Sequence, residues 1–190
     1  MNTTDFRFYT GALSTDFVAT VGRRLAGGYE RLTSAARLTE WLVHVELVEP
    51  ETRVSDRDLQ QARDLREAIY RLMLVRIVQR PAAAADIRVI NYWARKRTPA
   101  PQLSVDEPFT LQTHDGDDAG TALGVIARDA IDVVTSTRAT SLRACEATDC
   151  GMPYLDLSQG HTRRWCSMKE CGNRAKVAAY RARRKKDTTC

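Results

Sequence analysis

One cysteine unit occurs twice near the C-terminus. Residues 145–151 read CEATDCG and residues 166–172 read CSMKECG, so that each unit is C-x4-C-G, and fifteen residues lie between Cys150 and Cys166. A structural zinc takes four ligands in a tetrahedron, often from cysteine pairs in two turns. The glycine after each pair allows the backbone to take a positive φ and turn toward a metal. The spacing therefore predicts one structural zinc, bound by Cys145, Cys150, Cys166 and Cys171.

Three other interpretations of these cysteines remain open at this point. The N-terminus MNTTDFRFYTG lacks the basic start and apolar core of a signal peptide. We therefore expect a cytoplasmic protein, in which disulfides are disfavoured. Free buried cysteines would not repeat at a fixed spacing, and iron–sulfur clusters usually have other cysteine spacings. His161 lies between the pairs and could replace a cysteine, whereas Cys190 is the last residue and is interpreted as unused.

Charge and cysteine content divide the chain into two parts. The net charge is +5, but residues 138–190 contain 12 of the 29 Lys and Arg and only 5 of the 24 Asp and Glu, a local net of +7. All five cysteines lie there too. This asymmetry predicts two domains, residues 1–137 and 138–190, and we expect the first to fold on its own. No apolar run reaches the roughly 18 residues of a membrane span.

The first domain is predicted to be mostly helical. Leu13, Phe17, Val21 and Leu25 indicate a first helix, and two glycines follow it. Further helices have a predicted cap at Ser34, a capping box at Ser55 and Asp58, and an acidic start at Asp115, Asp117 and Asp118. A short β-hairpin is predicted from the alternation of Leu103 and Val105, then Phe109 and Leu111. The clearest core faces contain Leu38, Trp41 and Leu42, then Leu65, Ile69 and Met73, then Leu123, Ile126 and Val133.

The second domain reads as a metal-binding turn, a hairpin, a second metal-binding turn and a helix. Residues 154–157 and 162–165 are predicted to pair as strands around a turn at 158–161. The order resembles a treble-clef zinc finger. The predicted fold class is therefore mainly α, with a helical N-terminal domain containing a short β-hairpin and a small four-cysteine finger that ends in a basic helix.

The final helix is rich in positive charge. Seven of the thirteen residues from 174 to 186 are Lys or Arg, and none is acidic. A solvated terminal helix accounts for a few of these charges, whereas phosphate and base recognition accounts for all of them. Of Arg163 and Arg164, we expect one to contact phosphate and one to pair with Asp156. The predicted nucleic-acid contacts are Arg163, Arg164, Arg174, Lys176, Arg181, Arg183, Arg184, Lys185 and Lys186.

Both parts of the chain resemble a known protein family. The string CGNRAKVAAYRAR, preceded by RRWCSM and YLDLS, resembles the CGNR zinc-finger family of bacterial proteins over about residues 145–183. GALSTDFVAT and TEWL resemble the helical region of that family known as the ABATE domain. This chain has Ala19 where relatives often have asparagine. The resemblance implies a stress-induced transcription regulator that binds DNA through its zinc finger.

Three functions follow from these features. The first is a zinc-dependent regulator that places a basic helix on duplex DNA, with a small-molecule effector or a second protomer on the helical domain. The second is an RNA-binding or ribosome-associated zinc module. The third is an enzyme with the finger as a docking arm, but no nucleophile–base pair, phosphate-binding loop or paired-carboxylate motif supports it. We therefore predict a DNA-binding protein without a catalytic site.

Overall fold

The computed structural model of the protein describes residues 5–97, 102–103, 111–112 and 118–187. It is mainly α-helical, as predicted. The helices are α1 (Leu13–Val18), α2 (Ala35–His44), α3 (Asp56–Ile77), α4 (Ala84–Ala94), α5 (Ala119–Thr135) and α6 (Asn173–Asp187). The strands are β1 (Val21–Gly22), β2 (Tyr29–Glu30), β3 (Gln102–Leu103), β4 (Leu111–Gln112), β5 (Leu142–Ala144) and β6 (Pro153–Leu155). They form three antiparallel pairs, β1 with β2, β3 with β4 and β5 with β6. No helix in these ranges is long and apolar enough to cross a membrane.

Side-chain caps begin three of the predicted helices. Ser34 caps α2 and Asp118 caps α5, each by accepting a hydrogen bond from the backbone N–H three residues on. Ser55 and Asp58 form the predicted capping box at α3, with the Ser55 N–H donating to Asp58 Oδ2 at 2.9 Å. Each cap satisfies an N–H group that has no partner within its helix. The starts of these helices are therefore fixed by local sequence.

The first helix is shorter than its apolar pattern indicates. The pattern predicts a helix through Leu25, but α1 ends at Val18 and Val21 lies in β1. The hydroxyl and the N–H of Thr20 both donate to the Phe17 carbonyl, at 2.7 and 3.1 Å. This turn reverses the chain, and Val21 then pairs with Glu30. The prediction of a long first helix was wrong, because Val21 lies in a strand and Leu25 lies in the exposed turn after it.

The predicted hairpin of the first domain is present. Leu103 pairs with Leu111, and Gln102 pairs with Gln112. The other two residues of that prediction, Val105 and Phe109, lie outside the described ranges. The two described strands therefore pair as the predicted hairpin requires.

The strand pairing near the metal-binding cysteines differs from the prediction. Strand β6 pairs with β5, which precedes the first cysteine, and not with residues 162–165. The loop after β6 is instead closed by Asp156, whose carboxylate accepts hydrogen bonds from the N–H groups of Ser158 at 3.0 Å and Arg163 at 2.9 Å. These side-chain bonds satisfy backbone groups that a hairpin would otherwise pair. The predicted hairpin was therefore wrong.

The core is continuous between the two parts of the chain. Helix α3 packs against α1, α4 and α5, and it also contacts β5 and β6. One buried apolar cluster holds residues from the helices and from the C-terminal segment. Its members include Phe17, Trp41, Leu65, Ile69, Leu123 and Ile126 from the helices, and Leu142, Tyr154 and Leu155 from the C-terminal segment. The C-terminal segment up to Cys171 therefore packs directly on the helical body.

Candidate metal centre and nucleic-acid interface

The four predicted cysteines come together in one buried cluster. Their Sγ atoms all lie within 4.8 Å of one another. The Cys166 Sγ lies 3.7 Å from the Cys150 Sγ and 3.6 Å from the Cys171 Sγ. Four sulfurs about 2.3 Å from a central zinc form a tetrahedron with edges of about 3.8 Å. The sulfur positions therefore fit a single zinc ion.

Neither a disulfide nor His161 takes part in this cluster. All four cysteines are free thiols. The Nδ1 atom of His161 lies 2.9 Å from the Asp156 carbonyl oxygen, outside the cluster. No further Cys, His, Asp or Glu joins the four sulfurs in the part of the chain that the structure describes. Cys190 lies outside that part. Four thiolates close the coordination shell, so the metal has a structural role.

The two glycines of the repeated unit serve different purposes. Gly151 has a φ of +62°, as the turn after Cys150 requires. Gly172 is not among the described glycines with positive φ. A Cβ atom there would lie 3.0 Å from the Met168 sulfur and 3.4 Å from the Trp165 ring. The second glycine therefore permits close packing, and the expectation of positive φ was correct only for the first.

Crowding of the four thiols shifts their pKa values in opposite directions. Hydrogen bonding to Cys150 lowers the pKa of Cys145 far below its ordinary value. Hydrogen bonding to Cys145 raises the pKa of both Cys150 and Cys166 well above the ordinary value. Four thiols cannot all ionise side by side without a cation. A divalent metal removes this conflict, because each sulfur then ligates as a thiolate.

Arg174 belongs to the surroundings of the metal centre. Its Nη2 atom lies 3.3 Å from the Cys171 Sγ and 3.0 Å from the Asp149 Oδ1. The other carboxylate oxygen of Asp149 accepts a hydrogen bond from Arg23 Nε at 3.0 Å. Hydrogen bonds of this kind orient metal ligands and offset thiolate charge. The sequence did not predict roles for Arg23 and Asp149, because their partners are distant in the chain and no local spacing relates them.

Arg163 and Arg164 have different surroundings. Arg163 donates through Nη2 to the Cys166 carbonyl at 2.5 Å, and its guanidinium lies 4.9 Å from the centre of the Tyr154 ring. It contacts Asp156 only through its backbone N–H. Arg164 remains exposed and donates through Nε to Glu146 at 2.6 Å. Arg163 therefore supports the loop before Cys166, whereas Arg164 lies on the surface.

Helix α6 begins at the metal centre and packs little against the rest of the chain. No residue from 173 to 184 is buried. Even Val177 and Tyr180 are 40% and 56% exposed. The exposed basic residues of α6, where the structure describes its side chains, are Arg174, Lys176, Arg181, Arg183 and Arg184. The side chains of Lys185 and Lys186 lie outside the described part. Most helices gain their stability from packing of an apolar face, which α6 lacks.

Two family models match the chain. The ABATE model, described as "Putative stress-induced transcription regulator", matches residues 11–137. The CGNR zinc-finger model matches residues 141–184. The comparison with curated proteins returned no match. The two matches confirm the resemblance seen in the sequence, and neither family is an enzyme family. Together with the sulfur geometry, the zinc-finger match identifies one structural zinc as the cofactor.

Proposed function

This chain belongs to the ABATE family, and we propose that it is a transcription regulator that binds duplex DNA through helix α6. The observation that carries the proposal is that α6 is strongly basic and buries no described side chain against its own chain. Clustered Lys and Arg neutralise phosphates and release counterions from DNA. Zinc contributes by holding the first turn of α6 against the body. Such a regulator works in the cytoplasm, where its DNA is.

The orientation of Arg174 indicates which face of α6 meets DNA. Arg174 points toward Asp149 and the metal centre. At about 100° per residue, Lys176 and Arg183 lie on the opposite side of the helix, with Tyr180 close to them. An exposed helix fits the major groove, where Arg and Lys can reach guanine edges. We therefore assign Lys176 and Arg183 to the side that faces DNA. Arg181 lies close to the Arg174 side of the helix, and we assign it, with Arg184 and Arg164, to additional phosphate contacts.

A triple substitution tests this assignment. Lys176→Ala, Arg181→Ala and Arg183→Ala together should weaken binding to a labelled duplex, measured by fluorescence anisotropy across a salt series. Each lost phosphate contact lowers the slope of log affinity against log salt by about 0.9, so the slope should fall by up to about 2.7. The matched control is Arg53→Ala, Arg57→Ala and Arg88→Ala, which removes the same charge from exposed positions on the body. Zinc content is measured for both variants.

Two results would contradict the proposal. If the zinc-loaded α6 variant bound duplex DNA with the parent's affinity and salt slope, the helix would not be the DNA contact. If single-stranded RNA of equal length bound more tightly than duplex DNA at every salt concentration, the RNA-binding alternative would replace the DNA-binding one. A homodimer stays a prediction, which sedimentation of the free protein and of the DNA complex can test.

A further inference from the structure

A cavity of about 690 Å³ lies between the helical body and the metal centre. Arg7, Tyr9 and Tyr29 line it from the body, and Met152, Lys169 and Glu170 line it from the C-terminal segment. Cavities of roughly 300–1,000 Å³ between packed units are typical sites for small organic ligands. Its place and size therefore suit a ligand that contacts both parts of the chain.

Linked arginine and tyrosine side chains form the body side of this cavity. Arg7 donates to the hydroxyls of Tyr9 at 2.9 Å and Tyr29 at 3.4 Å. Behind Tyr29, the guanidinium of Arg31 donates to the same Tyr29 hydroxyl at 2.5 Å. Arg31 is 1% exposed, and its other hydrogen bonds go to two backbone carbonyl groups. Among the described residues it has no carboxylate partner.

The two carboxylates that line the cavity, those of Glu30 and Glu170, do not neutralise the charge of Arg31. Glu30 accepts two hydrogen bonds from Arg66, both at 2.6 Å. Glu170 pairs with Arg7. Burial, together with the nearby charge of Arg7, lowers the pKa of Arg31. A buried cation without an anionic partner is unfavourable, so an anion close to Arg7 and Tyr29 would offset the unpaired charge.

The opposite wall determines the orientation of such an anion. Cys150, Cys166 and Cys171 line this side. Four thiolates around one Zn²⁺ carry a net negative charge, which repels a second anion. An apolar group is better placed there, next to Met152. Burial raises the pKa of Tyr9 to about 12, so its hydroxyl stays protonated and is suited to binding rather than to proton abstraction.

We propose that this cavity binds a small organic carboxylate with a compact apolar body. Its carboxylate lies on Arg7 and Tyr29, and its apolar body lies toward Met152 and the cysteine wall. Glu170 is the internal competitor for Arg7. The site is separate from the DNA-binding face of α6, and its test contains no DNA, so the two proposals can fail independently.

The test uses the zinc-loaded full chain with benzoate as the probe and benzamide as its neutral counterpart. Each probe is titrated into the protein while backbone amide chemical shifts are recorded by NMR. The shifts of the cavity residues should saturate, and benzoate should bind at least about tenfold more tightly than benzamide. Arg7→Gln should lower the affinity for benzoate by about tenfold. Glu170→Gln should tighten benzoate severalfold, because it removes the charge that competes for Arg7.

Lys169 supplies a variant that does not disturb packing, because its side chain is exposed at the edge of the cavity. Lys169→Glu should weaken benzoate severalfold, whereas Lys176→Glu, the same charge change outside the cavity, should leave its affinity unchanged. If Arg7→Gln loses zinc or helix content, the benzoate affinities of Lys169→Glu and Glu170→Gln test the proposal in its place. Three results would overturn the inference: equal binding of benzoate and benzamide, no saturable shifts up to about 10 mM, or unchanged benzoate affinity in both Lys169→Glu and Glu170→Gln.

Discussion

The guanidinium of Arg174 lies between a zinc-ligand sulfur and the carboxylate of Asp149, at 3.3 and 3.0 Å. Removing such a partner typically lowers metal affinity by about 10–100-fold. We therefore predict that Arg174→Ala weakens zinc binding by this factor, measured by competition with a chromophoric chelator. Lys176→Ala, two residues further along α6, is the matched control and should retain the parent's zinc affinity. If Arg174→Ala also retained it, the contact with the Cys171 sulfur would have no role in metal binding.

At the scale of one element, residues 9–11 run beside β6, and the Leu155 N–H donates to the Thr10 carbonyl at 2.7 Å. Gly11 has a φ of +97°, and a Cβ atom there would lie 3.0 Å from the Leu155 Cβ. Gly11→Ala should lower the free energy of unfolding by about 2–4 kcal/mol, because backbone strain and overpacking add together. Urea denaturation of the zinc-loaded protein measures this.

Gly27 supplies the control for backbone strain alone. Its φ is +80°, but a Cβ atom there would meet nothing within 4 Å. Gly27→Ala should therefore lower the free energy of unfolding by only about 1–2 kcal/mol. Equal losses in the two variants would mean that Gly11 does not need its close approach to β6.

Elements with local causes are the ones that the sequence predicts well. The caps at Ser34 and Ser55 depend on residues within one helical turn, and the spacing of the cysteine pairs is enough to predict the metal site. The pairing of β5 with β6 was missed, because residues 162–165 are as strand-like as residues 142–144 and only packing on α3 and α1 distinguishes them. The bond between Arg174 and Asp149 joins residues 25 apart. The sequence alone does not distinguish a basic residue that hydrogen-bonds to a metal ligand from one that binds phosphate.

At the scale of the whole molecule, the metal centre belongs to the same core as the helices. The four cysteines, Tyr154 and Leu155 are buried in the cluster that also contains Phe17 and Ile69. Two ion pairs join the two parts: Arg23 with Asp149 near the surface, and Arg7 with Glu170 in the wall of the cavity. Composition suggested that residues 1–137 fold on their own, but composition contains no information about this shared core. We therefore infer that the body and the finger unfold together.

Removing zinc should then destabilise the helical body as well as the finger. Structural zinc contributes about 10–16 kcal/mol in small fingers, which is comparable to the roughly 5–15 kcal/mol that stabilises a whole domain. Urea unfolding is followed by far-UV circular dichroism and by tryptophan fluorescence, since Trp41 is fully buried in the body. Both probes should report one transition, and a chelator should move its midpoint to lower urea until stoichiometric zinc is restored.

The control variant, Glu146→Ala with Arg164→Ala, removes an exposed ion pair within the finger and should change the free energy of unfolding by no more than about 1 kcal/mol. A body transition whose midpoint is unchanged after zinc removal would show instead that residues 1–137 are an independent domain.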